Sequence, residues 1–364
     1  MLITLAALLG CAMILAGLLL ACSPGKPGFF MDEDGKVLKG SISEKLHVDI
    51  GGVEQGMFIR GKNTKNPVLL FLHGGPGMPE YFLAEKYPTG LEDHFTVCYW
   101  EQRGGGLSCR SDVSAKEITA ELLISDTIEV TNYLCQRFGQ EKIYLMAHSW
   151  GSFLGIQVAA QAPELFRVYI GVAQVSQMLE SEKRAYVHML ALYSAARNTK
   201  MMKKLKRYAV LNSEAELRSF FTSGLRDEAM HKLGIGTMHD MKSVVTGVFL
   251  PIMQCKAYTL GEKINIWRGK AALRNDTVLL DQLFSADMAM KVPQLEIPAY
   301  FFGGIHDYTV SCALAKRYLE QLRAPLKRFY QFEASAHSPL FEEPEKLMRI
   351  MIADVLNGKT ALAK

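Results

Sequence analysis

Ser149 lies in Ala147-His148-Ser149-Trp150-Gly151, after the apolar run at residues 142–146 and before a helical pattern at residues 151–160. A strand, a tight turn and a helix with a serine at the corner form a nucleophile elbow. The residues beside such a serine run so close to both backbones that they must be small. The pentapeptide alone says little, since serines between small residues are common in loops. A serine hydroxyl is also a weak nucleophile that needs a base, and the base needs an orienting acid. Candidates for both come late in the chain. His337 stands in Ala334-Ser335-Ala336-His337-Ser338-Pro339 after the strand pattern of residues 327–332, and Asp307 in Gly303-Gly304-Ile305-His306-Asp307 after that of residues 300–303. Taken singly, His337 reads as one loop histidine among nine, and Asp307 as a cap for a helix starting near Ser311. Taken together, the three residues occupy loops at the C-terminal ends of strands, the edge at which open α/β sheets bind ligands. Their joint chemistry is acyl transfer, with His337 taking the Ser149 proton and Asp307 holding the imidazole.

Acyl transfer also needs N–H donors for the oxyanion of the tetrahedral intermediate. The loop His73-Gly74-Gly75-Pro76-Gly77 follows the strand pattern of residues 67–72; Pro76 has no N–H, so Gly74 or Gly75 must donate. The second donor is the N–H of Trp150, the residue after the serine. Read without a ligand, the loop is a glycine-rich turn. A phosphate-binding loop fits worse, because no lysine followed by serine or threonine stands in the required place. A second loop, Glu101-Gln102-Arg103-Gly104-Gly105-Gly106-Leu107-Ser108, reads as structural, with Arg103 pinning carbonyls or a carboxylate near the site. No metal and no organic cofactor is implied: the seven cysteines have no short paired spacing and form no Cys/His cluster.

The elements that must carry these residues form an α/β pattern. With 364 residues, 49% of them apolar, the chain can bury a large core. A net charge of +4 with 21% charged residues makes no case for nucleic-acid binding. Gly51-Gly52 between two alternating runs predicts a β-hairpin over residues 43–60. Short apolar runs alternating with helical patterns then predict a mostly parallel sheet flanked by helices. This pattern fills residues 43–175, stops over residues 176–292, where helical and methionine-rich segments read as an inserted lid, and resumes over residues 293–360. Residues 23–42, rich in glycine, proline and charge, read as a linker.

Residues 1–22 carry no charged side chain and are long enough to span a bilayer. An uncleaved transmembrane anchor, a cleaved signal and a lipoprotein signal ending at Cys22 compete, and the missing positive start counts against both signal readings. The partner expected of this segment is the membrane. Lys26, Lys36 and Lys39 follow it and none precedes it, which favours a cytoplasmic catalytic part, whereas either signal would place that part outside.

At His73-Gly74-Gly75-Pro76-Gly77, Gln102-Arg103-Gly104 and Ser149-Trp150-Gly151 the chain resembles the α/β-hydrolase superfamily and, within it, the prolyl aminopeptidase (proline iminopeptidase) group. The match runs over about residues 43–356. The resemblance implies the α/β-hydrolase fold with a helical lid and a serine hydrolase, with Ser149 as nucleophile, His337 as general base and Asp307 as its partner. It also implies supporting places for His73, Glu101 and Arg103. The order Ser149, Asp307, His337 is the one this fold uses. Serine at the elbow argues against the aspartate-nucleophile branches, the haloalkane dehalogenases and epoxide hydrolases. Three departures bear on the substrate: Glu101 stands where the group has aspartate, Ala147 replaces glycine, and the lid lacks the Trp-Glu segment that helps bind a free amino terminus.

The lid region holds 18 lysines and arginines against 11 aspartates and glutamates. That surplus, with Met201-Met202-Lys203-Lys204-Leu205-Lys206-Arg207 looking exposed, reads as a solvated helix face or as an attraction to anionic lipid. Glu180, Glu182, Glu214, Glu216 and Glu262 are the lid carboxylates available for a substrate ammonium. Tyr186, Met189, Tyr193, Phe220, Phe221, Phe249 and Trp267 read as core, some of them lining an acyl site. The expected substrate is a small molecule or short peptide. A prolyl-aminopeptidase-like peptidase and a carboxylesterase- or lipase-like hydrolase of small acyl esters both remain open. So does a non-catalytic, membrane-tethered ligand-binding protein, although a binder has no need of all three triad groups.

Overall fold

A computed structural model describes Gly17, Leu20, Ala21 and residues 23–275 and 278–362. The predicted membrane segment therefore lies outside the described residues, apart from three of its positions. Among the described residues no helix is long and apolar enough to cross a membrane.

Eight strands form one sheet in the order β1-β2-β4-β3-β5-β6-β7-β8. β1 (Ile42–Ile50) and β2 (Val53–Gly61) make the predicted hairpin, closed by Gly51 and Gly52 at φ 58° and 73°. Both turn positions need positive φ, which glycine adopts without a Cβ clash. From β3 (Val68–Leu72) and β4 (Thr96–Trp100) through β5 (Ile143–His148), β6 (Phe166–Val172), β7 (Ala299–Gly304) and β8 (Lys327–Phe332), every pairing is parallel. A parallel sheet is covered on both faces, so its strands are apolar throughout and the two faces feed separate cores. In β5, Ile143, Leu145 and Ala147 join one core and Tyr144 and Met146 the other.

On the first face α1 (Ala120–Phe138) and α2 (Trp150–Gln161) pack together. α1 starts at Ala120, where the Thr119 side chain caps the Leu122 N–H. β6 stops at Val172, where Ala173 turns to φ 48°.

Between β6 and β7 every described element is helical. The longest are α3 (Met178–Ala195), α4 (Thr199–Leu205), α5 (Glu214–Thr222), α6 (Gly224–Leu233), α7 (Leu260–Arg274) and α8 (Val278–Ser285). α4 differs from its exposed appearance in sequence: Met201 and Leu205 are buried, and Lys203, Lys206 and Arg207 face solvent. Two contacts seat the insertion on the sheet. Tyr258 hydrogen-bonds the Glu101 carboxyl, and the Gly269 backbone lies against Gly77, Gly104 and Gly105 with no side chain between. The stretch after residue 22 also touches the insertion, since Gly25 and Lys26 donate their N–H groups to the Lys256 carbonyl at 3.1 and 3.2 Å.

Candidate active site

β5 delivers Ser149 at φ 54° and ψ −123°, a backbone conformation that side-chain-bearing residues rarely adopt and that functional turns retain. A Cβ at Gly151 would run into the carbonyl oxygens of Leu72 and His73, so the residue two beyond the serine has to be glycine. Ala147 fits in place of the group's glycine because the helix facing it carries Gly155; a Cβ there would stand 2.7 Å from that of Ala147.

The loops after β7 and β8 bring Asp307 and His337 to this corner. His337 Nε2 lies 2.8 Å from Ser149 Oγ, and Nδ1 lies 2.9 Å from Asp307 Oδ2. Asp307 Oδ1 accepts the N–H groups of Thr309 and Val310 at 2.8 and 2.9 Å, so one carboxylate both caps its loop and orients the imidazole. With Nδ1–H donated to Asp307, Nε2 is left to accept the serine proton, the tautomer a general base requires. The helix after this loop is capped by Ser311, so Asp307 does not serve as its cap.

The His337 loop is clamped on both sides. Glu342 Oε1 accepts the N–H groups of Ala336 and Ser338 at 3.0 and 3.2 Å, and Oε2 takes the His239 N–H at 2.6 Å. Burial pushes this carboxyl up to about 7, against the three N–H donors that favour its charge.

Gly74, Gly75 and Trp150 line the pocket beside Ser149. Among the described residues neither glycine donates a backbone hydrogen bond, and Trp150 opens α2, where an N–H has no acceptor within the helix. These free donors suit an oxyanion. The loop is held from behind by His73, which donates Nδ1–H to the Gly74 carbonyl at 2.7 Å and accepts the Gln102 N–H on Nε2 at 3.0 Å. Burial lowers the His73 pKa, in keeping with a neutral ring that accepts on Nε2. Gln102 also accepts from Trp150 Nε1 at 3.0 Å and donates to the His73 carbonyl at 3.0 Å, tying the loop of residues 73–77 to the elbow.

His73, Glu101 and Arg103 do not line the pocket. Arg103 clamps Asp126 through Nε and Nη2 at 2.7 and 2.8 Å and reaches the carbonyls of Ile50 and Gly51. Glu101 is buried, and burial pushes its carboxyl up to about 8 despite hydrogen bonds from Tyr258 and Leu107.

Of the carboxylates of the insertion, Asp227 lines the pocket and pairs with Arg274 at 3.2 Å, whereas the five glutamates read from the sequence lie elsewhere. None of Glu180, Glu182, Glu214, Glu216 and Glu262 lines the pocket; Glu182 forms a buried pair with Arg226, and Glu262 pairs with Lys45 at 2.8 Å. Of the seven lid residues read as core, Phe221 alone is a pocket wall, beside Met178, Met230, Val248 and Leu283, while Phe249 is 42% exposed.

Sequence reasoning passed over Glu80 and His148. Glu80 Oε1 accepts from His148 Nδ1 at 2.8 Å, and His148 Nε2 reaches the His337 carbonyl at 2.8 Å. Both residues line the pocket, and among the described residues the buried Glu80 Oε2 has no hydrogen-bond partner. The one available signal was His148 inside the elbow motif; Glu80 sits in a loop with no pattern of its own.

A family model described as alpha/beta hydrolase fold matches residues 67–344. The chain belongs to that superfamily, as a serine hydrolase resembling the prolyl aminopeptidase group. It is 34% identical over 319 residues to a probable aminopeptidase, YbaC, of Bacillus subtilis strain 168, covering 84% of this chain and 94% of the relative. It is 21% identical to a proline iminopeptidase of Lactobacillus delbrueckii subsp. lactis, over 85% of this chain and 97% of the other. The crystal structure of proline iminopeptidase from Mycobacterium smegmatis superposes with a TM-score of 0.63 at 18% identity, over 86% and 98% of the two chains, a likeness of fold.

Proposed function

We propose that the protein is an aminopeptidase-like serine hydrolase that cleaves an amide bond of a small-molecule or short-peptide substrate through an acyl-enzyme. The observation that carries the reading is the unbroken hydrogen-bond line Ser149 Oγ, His337, Asp307, with distances of 2.8 and 2.9 Å. His337 takes the Ser149 proton as Oγ adds to the carbonyl carbon. The oxyanion turns to the N–H groups of Trp150 and of Gly74 or Gly75. The tetrahedral intermediate expels the amine, which receives the proton from His337. Water, deprotonated by the same imidazole, then releases the acid and restores Ser149. Asp307 keeps its charge throughout and stabilises the imidazolium.

Glu80 favours an amine-bearing substrate over a neutral ester. A buried carboxylate oxygen without a partner, in the wall of this pocket, is costly to leave unpaired and suits a substrate ammonium. The helical insertion serves as the lid, and the charge-free segment of residues 1–22 supports attachment to a membrane. The test is steady-state hydrolysis of proline p-nitroanilide and its N-acetyl derivative, beside p-nitrophenyl acetate. An aminopeptidase loses the anilide activity on acetylation, and Glu80→Gln raises KM for the free amine by about tenfold. Equal turnover of both anilides would remove the requirement for a free amine, and ester hydrolysis alone would transfer the assignment to an esterase.

A further inference from the structure

Trp267, Lys270 and Arg274 follow one face of α7 at the three- and four-residue spacing of a helix. Gly269 sets where that face lies. A Cβ at Gly269 would stand 2.5 Å from the Gly104 carbonyl oxygen and 2.9 Å from Gly105 Cα, and one at Gly77 would stand 2.7 Å from the Gly269 carbonyl oxygen. The helix thus rests directly on the oxyanion loop, and Lys270, the next residue, lines the same pocket as Gly75, Ser149 and His337.

The neighbouring cations have counter-ions. Arg226 forms a buried pair with Glu182, and Arg274 lies 3.2 Å from Asp227. Among the described residues Lys270 has neither an ion pair nor a hydrogen bond; its ammonium lies 5.4 Å from the centre of the Trp267 ring. Burial draws its pKa below the ordinary lysine value, with Asp227 opposing. A half-buried ammonium in a largely apolar pocket is costly unless a ligand brings the opposite charge. The same pocket holds an unfilled acceptor at Glu80: Oε1 faces His148, and among the described residues the buried Oε2 has no hydrogen-bond partner.

Resting on the aminopeptidase reading above, we propose that Lys270 receives a substrate carboxylate, so that the pocket selects compact peptides with a free C-terminus. Such a dipeptide or tripeptide gives its ammonium to Glu80 and its carboxylate to Lys270, with the scissile carbonyl between them at Ser149. The amino-terminal residue of a long polypeptide offers only the first of these charges.

The test is calorimetric binding of prolyl-glycine and prolyl-glycinamide to the full chain carrying Ser149→Ala, repeated with Lys270→Met and with Lys270→Arg added. The acid is expected to bind about ten- to a hundredfold more tightly than the amide, the span of one charge-assisted hydrogen bond. Lys270→Met brings the two ligands to equal affinity, and Lys270→Arg keeps most of the preference. A Tm for Lys270→Met at or above that of the parent confirms that the variant is folded. Equal affinity of acid and amide for the parent, absence of binding by both, or a preference that survives Lys270→Met overturns the proposal. Fluorophosphonate labelling of the wild-type protein reports the chemistry separately. A labelled protein without acid preference loses only the role of Lys270, and an unlabelled protein with that preference keeps Lys270 and loses acyl transfer.

Discussion

His148, the residue before Ser149, donates Nε2–H to the backbone carbonyl of His337 at 2.8 Å. The strand that leads to the serine thereby grips the loop that carries His337. Nδ1 of the same ring faces Glu80 Oε1 at 2.8 Å, so both nitrogens meet acceptors and the ring is best satisfied as a cation. Burial opposes that charge, but Glu80 and the His337 carbonyl outweigh it and raise the pKa above the ordinary 6.5.

A raised histidine pKa in the folded state means stabilisation that is complete below about pH 6.5 and is lost as pH climbs through the raised value. Thermal unfolding from pH 6 to 9 should therefore show a steeper fall in Tm for the wild type than for His148→Gln. Parallel curves would contradict the charged ring.

Asp307→Asn should leave the fold intact and reduce kcat by about 10⁴-fold, because an amide facing Nδ1 favours the tautomer that cannot accept the serine proton. Steady-state kinetics checks the loss, and an unchanged Tm separates it from unfolding.

Glu101 answers to pH in a second way. Its carboxyl is raised from 4.5 to about 8, so between these values the folded protein holds a proton that the unfolded chain has released. Stability then falls as pH rises across that window. Glu101→Gln, which needs no proton to keep its hydrogen bond to Tyr258, should flatten this slope in denaturant titrations at pH 5 and 8.

Gly269→Ala should cost about 1–3 kcal/mol, because the new methyl meets the backbone of Gly104 and Gly105 rather than a side chain free to turn away. Urea unfolding measures the cost. A fall in kcat/KM is also expected, since α7 rests on Gly77 in the loop whose N–H groups are the proposed oxyanion donors.

Much of this site was legible in the sequence because its parts are local. Ser149 and Asp307 each follow a short apolar run that reads as a buried strand, His337 follows the half-exposed strand pattern of residues 327–332, and glycines mark the places where backbones touch. Glu80 and Glu342 were not legible, because their work depends on which loops the fold brings together. Glu342 holds the N–H groups on either side of His337 from a helical turn that the sequence does not distinguish from any other. The lid misled for a related reason. Its surplus of cations gave no hint that Arg226 is buried against Glu182 while Lys270 is left over, because pairing across helices has no sequence period.

The most direct measurement is the intact mass of the full chain after treatment with a fluorophosphonate, followed by peptide mapping. One adduct per chain, placed on Ser149 and absent from Ser149→Ala and His337→Ala, is the expected result. A folded protein that takes up no adduct, or an adduct that persists in Ser149→Ala, would contradict Ser149 as the nucleophile.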